Sequence, residues 1–178
     1  MEIRLAKTAG FCFGVDRAVQ MTRRLLDAGE KVATLGPLIH NPQVVAELEA
    51  RGAKVAASPA GVPPGYKVVI RSHGVPRSVY GELEALGIPW ADATCPFVAK
   101  IHAIARRAEQ EGACLAVAGD AAHPEVQGIV GHTRGESFVF ANLEELRAWK
   151  GPENPEKRIF AVAQTTFQAT KWQECSEF

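Results

Sequence analysis

Hydrophobic positions along this chain switch repeatedly between a strand period and a helix period, and glycine or proline marks most of the switches. Residues 1 to 12 alternate and predict a short strand ending at Gly10-Phe11-Cys12. Past Gly14, the residues Val15, Ala18, Val19, Leu25 and Leu26 share one helical face, with Asp16 near the start and Gly29 as the stop. Lys31 to Gly36 predicts a strand, and His40-Asn41-Pro42 leads into a helix through Val44, Val45 and Leu48 to Gly52. The Pro/Gly-rich stretch Ser58 to Gly65 predicts a loop, Tyr66 to Arg71 a strand, and Ser72 to Pro76 the entry to a helix with Val79, Leu83 and Leu86 inward. Ile88 to Ala93 is a further strand, closed by Thr94-Cys95-Pro96.

From Pro96 the helical period is strongest, with Phe97, Val98, Ile101, Ile104, Ala105 and Ala108 recurring before Gly112. Ala113 to Gly119 predicts a buried strand, His123-Pro124 a short helix, Ser137 to Phe140 a strand and Leu143 to Trp149 a helix. After the turn-rich 151–156, Arg158 to Ala163 is the last strand; Gln164-Thr165-Thr166 follows, then a terminal helix. Strands alternating with helices imply α/β architecture, mostly parallel sheets flanked by helices. The rhythm restarts near Cys95, so two small lobes are expected, 1–95 and 96–178.

Composition narrows the class. Of the 178 residues, 20 are Lys or Arg and 20 Asp or Glu, so no basic excess supports a nucleic-acid partner, and any anion site must be local. The 47% hydrophobic and 22% charged content is that of a folded globular domain. No apolar run is long enough to span a membrane. Charge at Glu2, Arg4 and Lys7 occupies the place where a secretory signal is apolar, which predicts a cytoplasmic protein. In that setting the four cysteines suit metal binding, catalysis or core packing better than disulfides. Cys114 sits inside a predicted strand and reads as core, while Cys175 reads as an ordinary residue of the terminal helix.

The candidate chemistry is positional. Cys12, His40, His73, Cys95, His123 and Thr165 each fall at a strand-to-helix junction, the end of an α/β sheet where ligands bind. Pro42, Pro76, Pro96 and Pro124 follow four of them closely, which predicts a nearby helix N-terminus and its anion-binding N–H groups. Glu125 lies two residues past His123. Each also has an ordinary explanation, as a buried cysteine, a packed histidine, a first-turn carboxylate or a capping hydroxyl. His102 and His132 read as surface or core histidines, and Asp92 and Asp120 as turn residues.

These junction segments resemble those of the 4-hydroxy-3-methylbut-2-enyl diphosphate reductase family. The matching stretches, in order, are Gly10-Phe11-Cys12-Phe13-Gly14-Val15-Asp16-Arg17-Ala18, His40-Asn41-Pro42, Arg71-Ser72-His73-Gly74-Val75, Asp92-Ala93-Thr94-Cys95-Pro96, Gly119 through His123-Pro124-Glu125-Val126, and Gln164-Thr165-Thr166. The resemblance implies reductive dehydroxylation of an allylic diphosphate to isopentenyl and dimethylallyl diphosphates, with a 4Fe-4S cluster and a ferredoxin or flavodoxin as electron donor. By matching position, Cys12 and Cys95 would be cluster ligands, Glu125 the proton source with Thr165 in its relay, and His40, His73 and His123 the diphosphate ligands. It also implies a three-lobed, trefoil-like fold whose third lobe, with the third cysteine, lies outside this sequence. Two other readings stand beside it: a diphosphate-binding module without redox activity, and a divalent-metal hydrolase using His and Glu ligands.

Overall fold

The computed structural model describes Ile3, Arg4, Ala6, Lys7 and residues 9–178. Its elements are α1 (Phe13–Asp27), β1 (Val32–Leu35), α2 (Pro42–Ala50), β2 (Lys54–Ala56), a 3₁₀ turn (Pro59–Gly61), β3 (Lys67–Ile70), α3 (Arg77–Ala85), β4 (Trp90–Asp92), α4 (Pro96–Gln110), β5 (Cys114–Ala118), α5 (Pro124–Val130), β6 (Ser137–Phe140), α6 (Leu143–Ala148), β7 (Ile159–Ala163) and α7 (Ala169–Ser176). They form two sheets, parallel throughout, of order β2-β1-β3-β4 and β6-β5-β7. The α/β expectation holds. By packing, the chain divides into one unit of residues 1–72 with 90–95 and a second of 73–89 with 96–178.

Two expectations fail locally. The alternating pattern over 1–12 makes no strand at its described positions, because none of them pairs with a neighbouring strand; Met1, Glu2, Leu5 and Thr8 lie outside the described residues. Conversely β2, only three residues long, was not expected. It extends the first sheet by pairing Ala33 with Lys54 and Leu35 with Ala56, and a strand so short carries no readable period.

In the first unit, α1 turns Ala18, Val19 and Thr22 inward at helical spacing. The Thr22 hydroxyl satisfies itself on the Ala18 carbonyl at 2.9 Å. This face packs with Val32, Leu38, Ile39, Leu48, Val69 and Ala93 as one apolar cluster. Asn41 caps α2, its side chain accepting from the Gln43 and Val44 N–H groups at 3.1 and 3.2 Å, and Pro42 opens the helix as expected.

In the second unit β5 is the central strand and every residue in it is buried. Leu115 and Val117 face a cluster with Ala105, Val126, Ile129 and Val162. Ala116 and Ala118 face the opposite cluster with Phe140 and Cys175. The strand's period of two thus serves two cores at once. Leu115→Ala is expected to lower stability by about 2–5 kcal/mol, read from the midpoint of urea unfolding; a shift within error would place Leu115 outside the core.

The interior of α4 departs from its apolar pattern. Phe97 and Ile104 are exposed, whereas His102 is buried and stacks on His132, with ring centroids 3.9 Å apart. Arg106 donates to His132 Nδ1 at 3.0 Å, so His132 must carry its proton on Nε2, which donates to the Val75 carbonyl at 3.1 Å. Both histidines are core residues, and His132 holds the segment leading to α3.

Candidate functional site

Cys12 and Cys95 both lie in the first unit. Cys12 is exposed and immediately precedes α1, its carbonyl accepting the Asp16 N–H at 2.9 Å. Cys95 closes a tightly held turn. The Asp92 carboxylate accepts the Thr94 N–H at 2.8 Å, the Arg17 guanidinium donates to the carbonyls of Asp92 and Thr94 at 3.2 Å, and the Cys95 N–H donates to the Ser72 carbonyl at 2.9 Å. The Cys95 side chain packs directly against the backbone of Gly14, where a Cβ would stand 2.6 Å from Sγ. Only glycine allows that approach. Arg17 and Gly14 therefore position the thiol, and the sequence alone marked neither as doing so.

The other two cysteines do not share these surroundings. Burial pushes the Cys114 and Cys175 thiols up from their ordinary value, which keeps them protonated and unreactive. Cys114 is core and Cys175 a residue of the terminal helix α7, both as expected, with Cys175 buried against the cluster of Ala116, Ala118 and Phe140.

The donor set around Cys12 and Cys95 fits an iron–sulfur group. Two thiols on one unit suit thiolate ligation. The neighbouring Thr94 hydroxyl is buried and has no hydrogen-bond partner among the described residues, so a donor stands ready beside Cys95.

His40 is exposed in the turn before α2. His73 and His123 lie in the second unit with their rings edge-on, centroids 5.4 Å apart. The proline expectation holds for His123, which caps α5 directly before Pro124. Pro76 stands at the N-cap of α3 rather than inside the helix, so His73 lies in the loop after β3, three residues before that cap. His123 Nδ1 accepts the Glu125 N–H at 3.1 Å, which leaves its proton on Nε2. His123 therefore offers an N–H donor in its neutral form.

Glu125, two residues on, is 2% exposed. Thr165 holds both of its oxygens: the backbone N–H donates to Oε1 at 2.6 Å and the hydroxyl meets Oε2 at 2.8 Å. The loop that brings Thr165 there is tied by Gln164, whose amide donates to the Thr166 hydroxyl at 2.8 Å and accepts from the Asp120 N–H at 3.2 Å. Gln164 packs against Gly119, where a Cβ would come within 2.9 Å of its Oε1. Gln164 is a supporting residue that position in the sequence did not single out.

Residues 3–178 match the LytB protein family. The chain belongs to it. Among curated relatives, a 4-hydroxy-3-methylbut-2-enyl diphosphate reductase of Oleidesulfovibrio alaskensis is 41% identical over 167 residues, covering 93% of this chain and 59% of that protein. One of Geobacter sulfurreducens is 45% identical over 166 residues, covering 93% and 57%. A solved structure of (E)-4-hydroxy-3-methyl-but-2-enyl diphosphate reductase superposes with a TM-score of 0.82 at 37% identity, covering 97% of this chain and 61% of that one. The reductase from Plasmodium falciparum gives 0.88 at 25% identity, covering 96% and 54%. The chain thus spans about three fifths of the length of its curated relatives. Among the described residues no helix is long and apolar enough to cross a membrane.

Proposed function

We propose that this LytB-family chain carries the first two lobes, 1–95 and 96–178, of a cytoplasmic iron–sulfur reductase that dehydroxylates 4-hydroxy-3-methylbut-2-enyl diphosphate to isopentenyl and dimethylallyl diphosphates. The observation that carries this reading is the continuous family match over residues 3–178; the arrangement of Glu125, Thr165 and His123 supports it. Cys12 and Cys95 would hold two of three protein ligands of a 4Fe-4S cluster. Bound there, the cluster would deliver the two electrons, from a ferredoxin or flavodoxin, that with two protons release the allylic hydroxyl as water.

The chain's own residues have separable tasks. His40, His73 and His123 are assigned to the diphosphate, with His123 Nε2–H as a donor that needs no protonation. Glu125 supplies a proton. Because the Thr165 N–H claims Oε1, the transferable proton belongs on Oε2, and its route outward runs through the Thr165 hydroxyl. In the hydrolase reading a metal held by Glu125 would have to share the carboxylate oxygens with these two hydrogen bonds.

Anaerobic reconstitution with iron and sulfide tests the ligand assignment. Broad visible absorbance is expected in the wild type, lost in Cys12→Ser and Cys95→Ser and kept in Cys114→Ala and Cys175→Ala. Iron content unchanged in Cys12→Ser and Cys95→Ser would refute it. A colourless wild type that binds pyrophosphate, with binding abolished by His40→Ala, would favour the binding module instead.

A further inference from the structure

Several cations of the first unit are already committed. Arg23 pairs with Glu47, Arg51 with Asp27 and Lys67 with Glu30, and Arg17 is spent on carbonyl groups. Arg71 differs. Its Nε is buried with no hydrogen-bond partner, and no carboxylate pairs with its guanidinium among the described residues. Burial also lowers its pKa, although a guanidinium stays charged at neutral pH. A half-buried cation without a counter-charge costs the protein that holds it stability.

The backbone is shaped to keep it there. Arg71 follows β3, and Gly36 follows β1, the adjacent strand at the centre of the sheet. Gly36 has a φ of +72°, and a Cβ on it would stand 3.1 Å from Arg71 Nη1. Glycine thus meets the turn and leaves the guanidinium its space. The position is the carboxyl end of parallel strands, where α/β sheets receive ligands.

We propose that Arg71 is a substrate-binding residue, its guanidinium donating to oxygens of the diphosphate. The inference rests on the diphosphate reading above and adds a charge to it. A neutral imidazole such as His123 donates a hydrogen bond but neutralises nothing, while a diphosphate carries several negative charges. The planar guanidinium fork matches phosphate oxygens, and the anion supplies the missing counter-charge.

Calorimetric titration with inorganic pyrophosphate, combined with thermal melts, tests this. Arg71→Met is expected to raise the ligand-free Tm, because the uncompensated charge is gone, and to weaken pyrophosphate binding at least about tenfold, with loss of the ligand-induced rise in Tm. Arg71→Lys, which keeps the charge without the fork, is expected to fall between. A purely structural arginine gives the opposite pattern: a lower ligand-free Tm with affinity within about twofold of wild type, and that result overturns the inference alone. Should Arg71→Met fail to fold, Arg71→Gln makes the same comparison, and unchanged affinity there overturns it equally. A wild type that does not bind pyrophosphate overturns the diphosphate reading and this inference with it.

Discussion

Glu125→Gln is expected to leave a folded, cluster-loaded protein that binds pyrophosphate normally and turns over about 10²–10⁴-fold more slowly. The substitution is close to isosteric at this position. The amide oxygen can still accept the Thr165 N–H that now reaches Oε1 at 2.6 Å, and the amide nitrogen can donate to the hydroxyl that now meets Oε2 at 2.8 Å. Geometry survives and only the acidic proton is lost. Thr165→Val separates the relay from the acid: it keeps the backbone N–H and removes the hydroxyl, so it is expected to slow turnover while Thr165→Ser restores it. Single-turnover reduction monitored with pyrophosphate affinity checks both. Turnover within a few-fold of wild type in Glu125→Gln removes the carboxyl from the proton step.

Gly14→Ala is expected to abolish cluster retention, although one methyl group is a small change. Its Cβ would lie 2.6 Å from Cys95 Sγ and 2.8 Å from Cys95 Cβ, closer than packed atoms approach. Cys95 cannot easily retreat, since its N–H is bound to Ser72 and the turn before it is fastened by Asp92 and Arg17. Overpacking of this kind costs about 1–3 kcal/mol, and whichever side gives way, the thiol moves. Gly81 is the control. It lies inside α3 with open space where its Cβ would be, so Gly81→Ala is expected to stabilise by about 0.5–1 kcal/mol and keep its iron. Iron per chain after reconstitution and urea midpoints distinguish the two. Wild-type iron content in Gly14→Ala would disprove the close approach.

The sheets and helices were legible in the sequence because their apolar faces repeat: Val15, Ala18, Val19, Leu25 and Leu26 of α1, or the fully buried run of β5. Periodicity failed where burial was not apolar or an element was too short. His102 occupies a core position on α4 by stacking on His132, a pairing across distant sequence that no local pattern records. β2 has three residues, fewer than a period needs. The alternating residues 1–12 show the converse, a strand pattern whose described positions have no strand to pair with. Among the candidate residues, junction position drew attention to Cys12, Cys95, His123 and Glu125, and the family resemblance implied a role for each. What stayed hidden were residues acting through backbone: Gly14 by what it lacks, Arg17 and Gln164 by the carbonyls and amides they hold. Arg71 was hidden differently, since an absent partner leaves no trace in composition.

The all-parallel sheets carry a kinetic consequence. A parallel pair cannot be joined by a hairpin, so Cys114 must wait for the chain to travel through α5, β6 and α6 before Ile159 is available to pair with it. Each closure costs chain entropy before any hydrogen bond or buried methyl group offsets it. Folding is therefore slow relative to helical proteins of this size. During that interval the Cys114-Leu115-Ala116-Val117-Ala118 segment, central and covered on both faces once folded, stays open to pairing with the same segment of another chain.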